Sequence, residues 1–396
     1  MEDLLFLVHR IPYPPNKGDK IRSFHFLQAL AKHYRIYLAA FVDDDEDWQY
    51  VNELKRFCKD SLLLELKPLQ AKILSIEGLF TGEALSLPYY KSKQLQSWVD
   101  STLEQQKIQK VLIFSSVMAQ FIKPEHNLEI VADFVDVDSD KWAQYAQKKT
   151  WPASWIYQRE AKKLLKFETE VAKVAKATLF VSESEANLFR NLVPNLSSKI
   201  TFVNNGVDLD YFTPEVEYVS PYSDDEFVIT FTGAMDYWAN CDAVIWFVNE
   251  VFPKILQAKP LSRFYIVGSK PSKTVQALGE KKAVVVTGRV EDIRPYIAHA
   301  DLVVAPLRIA RGIQNKVLEA MAMEKRIIAT PDAIEGIPVS DQEDVVIAAN
   351  SNKFAENVIA FLSDSNTPQE STANRVFIEN KFAWQACTDK LIALID

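Results

Sequence analysis

Three things are scarce or missing in this 396-residue sequence, and each removes a class of protein. No apolar run approaches the ~20 residues needed to cross a bilayer as a helix, which leaves at most a peripheral membrane association. The three cysteines, Cys58, Cys241 and Cys387, lie far apart. An odd set without metal-ligand spacing supplies neither a disulfide framework nor a metal site, so a reducing compartment is expected. Positive charge is in deficit: 45 Lys and Arg against 53 Asp and Glu leave a net charge of -8, and no basic cluster offsets it, which excludes nucleic acid as a major partner. The opening Met1-Glu2-Asp3 carries no basic flank ahead of the apolar residues 4–8, so a cytoplasmic location is expected.

What is present is a chain long enough for two α/β domains of similar size, with 48% hydrophobic and 25% charged residues, the balance of an ordinary globular protein. Short apolar runs predict strands at 4–8, 35–42, 111–114, 130–134, 178–181 and 200–203, most of them followed by helical periodicity. Residues 154–176 read as a long helix with Leu164, Leu165, Val171 and Val174 on one side and a solvated charged face on the other. Pro214, Pro221 and the run Asp224-Asp225-Glu226 break the pattern over 211–226, the expected linker. The alternation restarts with strands at 227–232, 263–267, 284–287, 302–305, 326–329 and 345–348. This predicts a domain over 1–212, a second over 213–375, and a terminal helix over about 376–396 that packs back on the first.

Four stretches carry candidate chemistry. After the first strand, the loop from Pro12 through Asn16, Lys17 and Gly18 to Arg22 opens a helix, where free backbone N–H groups and the dipole favour an anion. It lacks the GxGxxG fingerprint, which argues against a dinucleotide. After the strand at 130–134, Asp136, Asp138 and Asp140 alternate. They suit a general base, the positioning of an acceptor hydroxyl or a hard cation, or else simply cap the next helix. No EF-hand loop is formed. In the second half, Gly233 and Ala234 end the first strand with a backbone open to close approach, and Asn240 follows near a helix start. The run Arg308-Ile309-Ala310-Arg311-Gly312-Ile313-Gln314-Asn315-Lys316-Val317-Leu318-Glu319 places two arginines and a glycine before a helix that carries Lys316 and Glu319 on one face. A lysine there can neutralise a diphosphate leaving group while a glutamate accepts hydroxyls of a sugar or ribose. An exposed i,i+3 ion pair is the plainer alternative. Trp142, Trp151 and Trp155 suit a membrane interface, a sugar ring or the core.

The run Asn204-Asn205-Gly206-Val207-Asp208 with Phe212 and Pro214 closely resembles the segment joining the two domains of retaining GT-B glycosyltransferases, the family-4 or group 1 type. Val181-Ser182-Glu183, Val267-Gly268, Thr287-Gly288-Arg289-Val290, Ala300-Asp301 and Glu319-Ala320-Met321-Ala322 resemble that family in the same order, over nearly the whole chain. Within it the chain looks similar to sugar transferases of exosortase and exopolysaccharide loci. The resemblance implies two facing Rossmann-like domains and transfer of a sugar from a UDP- or GDP-sugar to a glycan or lipid-linked acceptor. It further implies retention at the anomeric carbon, and no required cofactor or metal.

By the same resemblance Gly18 lines the acceptor and phosphate side, Gly233 and Ala234 approach the diphosphate, and Gly268 belongs to the donor site. Arg289 and Val290 lie near the base, Gly312 to Lys316 cradle sugar and phosphates, and Glu319 holds the ribose. Asp136 and Asp138 stand near the position of a catalytic histidine. Three departures stand out. Arg311 replaces the first of two glutamates, Asp236-Tyr237-Trp238 replaces an Arg and Lys pair, and Glu324 replaces a glycine. Lys316, with Arg308 or Arg311, is then expected to neutralise the leaving diphosphate. A nucleotide-sugar epimerase and an inert sugar-nucleotide-binding scaffold are the rival readings; a glycoside hydrolase lacks its second carboxylate set.

Overall fold

A computed structural model describes residues 1–15, 18–147, 149–310, 312–363 and 371–396. The chain forms two compact units, the first comprising Met1–Asn204 with Cys387–Asp396 and the second Asn205–Ala386.

The first unit is built on seven parallel strands: β1 (Glu2–Val8), β2 (Tyr34–Val42), β3 (Asp60–Glu65), β4 (Lys110–Phe114), β5 (Glu129–Val135), β6 (Ala177–Phe180) and β7 (Ile200–Phe202). They lie in the order β3-β2-β1-β4-β5-β6-β7. Residues 4–8 are all fully buried, which is why β1 reads as an unbroken apolar run: helices cover both faces of a parallel sheet. The strand order reverses between β1 and β4, and ligands of such sheets bind beyond the carboxyl ends at that switch point.

The second unit has six parallel strands: β8 (Phe227–Thr232), β9 (Ser262–Val267), β10 (Val284–Gly288), β11 (Leu302–Ala305), β12 (Ile327–Ala329) and β13 (Val345–Ile347). Their order is β10-β9-β8-β11-β12-β13, so its switch point falls between β8 and β11. Phe231, Phe247, Phe252, Phe264 and Phe354 fill its core, all nearly inaccessible.

The units divide at Asn204, ahead of the expected boundary at 212. The cause is local: Val207 bridges Ala383 and donates its N–H to the Phe382 carbonyl at 2.7 Å, while Leu209 and Phe212 pack on the second core. A Cβ on Gly206 would stand 2.7 Å from Trp384 Cα, so only glycine lets these two segments lie together. The last helix, Trp384–Ile395, returns its end to the first unit. There Leu391 and Ile395 are buried, Lys390 Nζ sits 4.1 Å over the Phe202 ring, and the Tyr34 hydroxyl bonds Asp396.

Differences from the sequence reading have physical causes. β3 escapes it because an edge strand, half-exposed along its middle, shows neither alternation nor a long apolar run. The helix Ala153–Val174 buries Leu164 and Val171 as anticipated, but its charged side is not wholly solvated. Glu160 is buried and accepts hydrogen bonds from the Ser86 N–H (2.9 Å) and hydroxyl (2.6 Å), and Glu168 is buried at the Ser139 hydroxyl (2.5 Å). Trp151 (81% exposed) and Trp155 (55%) are not core residues, whereas Trp142 packs 5.2 Å from Tyr157. Glu324 keeps the turn a glycine would make, at φ 57°. Among the described residues no helix is long and apolar enough to cross a membrane.

Candidate functional site

In the second unit the loops after β8, β9 and β11 meet at the switch point. Their approach is close: a Cβ on Gly268 would lie 1.7 Å from the Gly233 carbonyl oxygen, and one on Gly233 would lie 2.7 Å from Asn240 Nδ2 and 3.2 Å from Lys316 Nζ. Two glycines are therefore required for the backbones and side chains to converge. Asn240, buried on the helix Trp238–Trp246, donates from Nδ2 to the Ala234 carbonyl at 2.9 Å and accepts from Lys316 Nζ through Oδ1. Lys316 Nζ also stands 4.6 Å over the Phe231 ring.

The helix Asn315–Ala322 carries Lys316 and Glu319 three residues apart on one face. Burial pulls the Lys316 ammonium down to about 8, against the raising influence of Glu319. Burial likewise pushes the Glu319 carboxyl up to about 7, with Lys316 acting the other way. The Glu319 carbonyl accepts from the Met323 N–H at 3.2 Å, and its carboxylate has no hydrogen bond among the described residues. Lysine with an ammonium this easily discharged and a carboxyl this easily protonated suit an arriving polyanion and a hydroxyl-rich ring. They are not a simple surface ion pair.

Around this centre, Gly312 turns the chain at φ 63° and its carbonyl accepts from Gln314 Nε2 at 3.0 Å. Gln314 and Asn315 begin the helix, and Ile313 packs on the core beside Gly336. Arg289 is exposed beyond the end of β10 and has no ion pair among the described residues; Val290 beside it is half-buried. Arg308 is committed elsewhere: its guanidinium grips Asp242, with Nε 3.0 Å from Oδ2. Its Nη1 makes no hydrogen bond among the described residues. Arg311 lies outside the described residues.

In the first unit the expected anion loop is divided. Gly18 is the exposed first residue of the helix Gly18–Leu30 and has open space where a Cβ would be, whereas Asn16 and Lys17 lie outside the described residues. Arg22 departs from the expectation. It is 0% exposed, with Nε 2.8 Å from Asp133 Oδ2 and Nη1 2.7 Å from the Val203 carbonyl, so it ties β5 to the end of β7 instead of facing a ligand. Asp136 and Asp138 do come together. Lys141 Nζ lies 2.7 Å from the first and 3.2 Å from the second, and these two carboxylates hold Lys141 charged against the opposing effect of its burial. Among the described residues no group of three His, Cys, Asp or Glu has the geometry of a metal site.

Residues 226–364 match the family model of the group 1 glycosyl transferases. Over 165 residues the chain is 22% identical to an uncharacterized 44.6 kDa protein in the cps region of Klebsiella pneumoniae, a match covering 39% of this chain and 42% of that one. The chain thus spans less than half the length of that curated relative. Alr3699/HepE from Anabaena, solved in complex with UDP, is similar over 99% of both chains at 14% identity, with a TM-score of 0.65. Sucrose-phosphate synthase from Thermosynechococcus elongatus is similar over 100% of this chain and 98% of its own at 16% identity, with a TM-score of 0.68. The fold is GT-B.

The group 1 match takes in Gly233, Gly268, Asn240, Lys316 and Glu319 together, the residues that the structure draws into one cluster. Others in the same loops carried no signal in the sequence. Phe231 underlies Lys316, Asp242 holds Arg308, and Lys270, at φ 53°, places its ammonium 4.0 Å from Asp236. In the first unit His9 stands at the switch point directly after β1, its ring stacked 6.0 Å from Phe114 and its Nε2 3.4 Å from Asp19, while Nδ1 is buried and has no partner among the described residues. Val135 (φ 69°) and Ser115 (φ 75°) hold positive φ at the ends of β5 and β4. Such strain in non-glycine residues concentrates where ligands bind.

Proposed function

We propose that the chain is a glycosyltransferase that moves a sugar from a nucleoside diphosphate donor to a glycan or lipid-linked glycan acceptor. The observation that carries this reading is the cluster of Gly233, Gly268, Asn240, Lys316 and Glu319 at the switch point of the second sheet, within a segment that matches group 1 glycosyl transferases. The glycines let Asn240 and Lys316 close on the backbone at the end of β8, where a diphosphate would dock. Lys316 neutralises the charge that grows on the leaving phosphate as the bond to the anomeric carbon breaks, an interaction stronger in the transition state than in the ground state. Glu319 accepts the ribose hydroxyls, Arg289 and Val290 border the base, and Gly312 to Asn315 hold the donor sugar. The acceptor is assigned to the first unit, at Gly18, His9 and the pair Asp136 and Asp138.

UDP or GDP is the donor nucleotide in this reading; HepE, of the same fold, is solved with UDP. Transfer proceeds with retention and needs no metal, since Lys316 supplies the countercharge. A capsule-like or other cell-surface polysaccharide is the product class, in line with the cps-region relative, and synthesis takes place in the cytoplasm. Calorimetric titration with UDP, GDP, ADP and CMP tests the donor assignment. One nucleotide is expected to bind, with the heat lost in both Lys316→Ala and Glu319→Ala. Wild-type affinity in Lys316→Ala sinks it. Release of free nucleotide only in the presence of an acceptor separates transfer from epimerisation, and binding with no turnover favours the scaffold reading.

A further inference from the structure

The segment following β3 shows an apolar stripe where solvent meets it. Helices Pro68–Ser75 and Glu77–Thr81 run almost continuously, and Leu69, Ile73, Ile76 and Phe80 recur at intervals of four, three and four residues, which places them on one helical face. In a globular protein such a stripe faces the core. Here it is exposed: Leu69 77%, Ile73 68%, Ile76 49% and Phe80 86%, with Leu74 and Leu79 beside them. The opposite side holds the helices to the unit through buried Ala71 and Gly78 and through Arg159, whose Nη2 donates to the Gly78 carbonyl at 2.5 Å.

Next to the stripe lies a basin lined by Gly82, Lys91, Lys163 and Lys166, together with Glu83 and Glu170. Lys91 is paired with Glu77 at 2.8 Å and Glu170 with Lys173 at 2.7 Å. Lys163 and Lys166, with Lys72 on the stripe's own helix, have no ion pair among the described residues. In a chain of net charge -8 this is a local excess of uncommitted ammonium groups beside an exposed apolar ridge. The exposed apolar stripe is thus bordered by Lys72, Lys163 and Lys166.

We propose that this face of the first unit docks on an anionic lipid bilayer, the ridge entering the interface and Lys72, Lys163 and Lys166 meeting the headgroup phosphates. The inference is independent of the donor site, which lies in the second unit, and goes beyond the reading of the activity.

The test is flotation of the purified full chain with phosphatidylcholine vesicles, with and without phosphatidylglycerol, in parallel with nucleotide titration of the same samples. The chain is expected to float with the anionic vesicles and to be released by salt. The pair Ile73→Ser and Phe80→Ser should lower partitioning at least about tenfold, since either side chain fully removed from water contributes that much alone. The pair Lys163→Gln and Lys166→Gln should lower it by roughly fivefold or more per lysine on anionic vesicles only. Both variants should melt as the parent does and bind nucleotide unchanged. Absence of flotation, or equal flotation of parent and variants, overturns the proposal. So does a concentration-dependent dimer in light scattering that the ridge variant abolishes, because the stripe would then be a contact between copies. Failure of nucleotide binding in every sample would instead count against the donor site and leave the flotation result standing.

Discussion

Binding of a nucleoside diphosphate to the second unit should weaken as pH rises from 7 to 9, by an amount that the Lys316 and Glu319 pair sets. In the free protein burial brings the Lys316 ammonium down to about 8. The charged form is the one an anion selects, so affinity falls as pH passes upward through that value, and the charged fraction drops about tenfold between pH 7 and 9. Glu319, pushed up to about 7, works in the opposite sense. Its ionised fraction rises from about half to nearly all over the same span, which improves acceptance of ribose hydroxyls by about twofold at most. The lysine wins, and the net loss is about fivefold. Phosphate's own second ionisation, near 6, is complete below this window. Titration calorimetry at several pH values with UDP or GDP reads the effect. Lys316→Arg, which stays charged throughout, should flatten the profile. Glu319→Gln removes the influence that raises the Lys316 value, so the decline should begin at lower pH. Binding that is flat or strengthens from pH 7 to 9 in the parent, or a slope in Lys316→Arg equal to the parent's, refutes the reasoning.

Gly268→Ala should destabilise the second unit by about 3 kcal/mol or more in denaturant melts and abolish nucleotide binding, because the new Cβ meets backbone that cannot turn aside. Gly18→Ala, with open space at the same atom, should stay within about 0.5 kcal/mol of the parent. Arg22→Met strands Asp133 in the core without its counter-ion and should cost about 3–5 kcal/mol in chemical denaturation. The double change Arg22→Met with Asp133→Leu should recover most of that. Glu168, raised to about 8 by burial and further by Asp138 against its Ser139 bond, holds its proton in the folded state while the unfolded chain has released its own. Stability therefore falls as pH climbs from the ordinary carboxyl range to about 8, and Glu168→Gln should gain up to about 4 kcal/mol at pH 8 while matching the parent under acid conditions.

The strands were legible because parallel strands covered on both faces are written as apolar runs, such as residues 4–8 and 111–114. The covering helices were legible from their periodicity. β3, which has only one neighbour in its sheet, carries no such run. At the candidate site, helical spacing alone put Lys316 and Glu319 on one face, but the need for Gly268 opposite Gly233 is a contact between residues distant in sequence and leaves no local trace. Arg22 was misread for a related reason: its partners Asp133 and Val203 come from other strands, so nothing near it in the chain distinguishes a buried arginine from a phosphate ligand. Glu160 and Glu168 were likewise hidden in a run of charges. The left-handed backbone at Val135 and Ser115 cannot be read from residue type, since both positions would ordinarily avoid it.

The return of Cys387–Asp396 to the first unit fixes an order of completion during synthesis. The second unit is one uninterrupted stretch, Asn205–Ala386, and has all its residues as soon as Ala386 has left the ribosome. The first unit, although all seven of its strands are made earlier, waits for Leu391 and Ile395 to fill its last apolar surface. Domains generally close in the order they are made. Here the unit that begins first finishes last, so a nascent chain halted anywhere within the second unit carries a sheet whose apolar surface is still open and in need of a chaperone's cover.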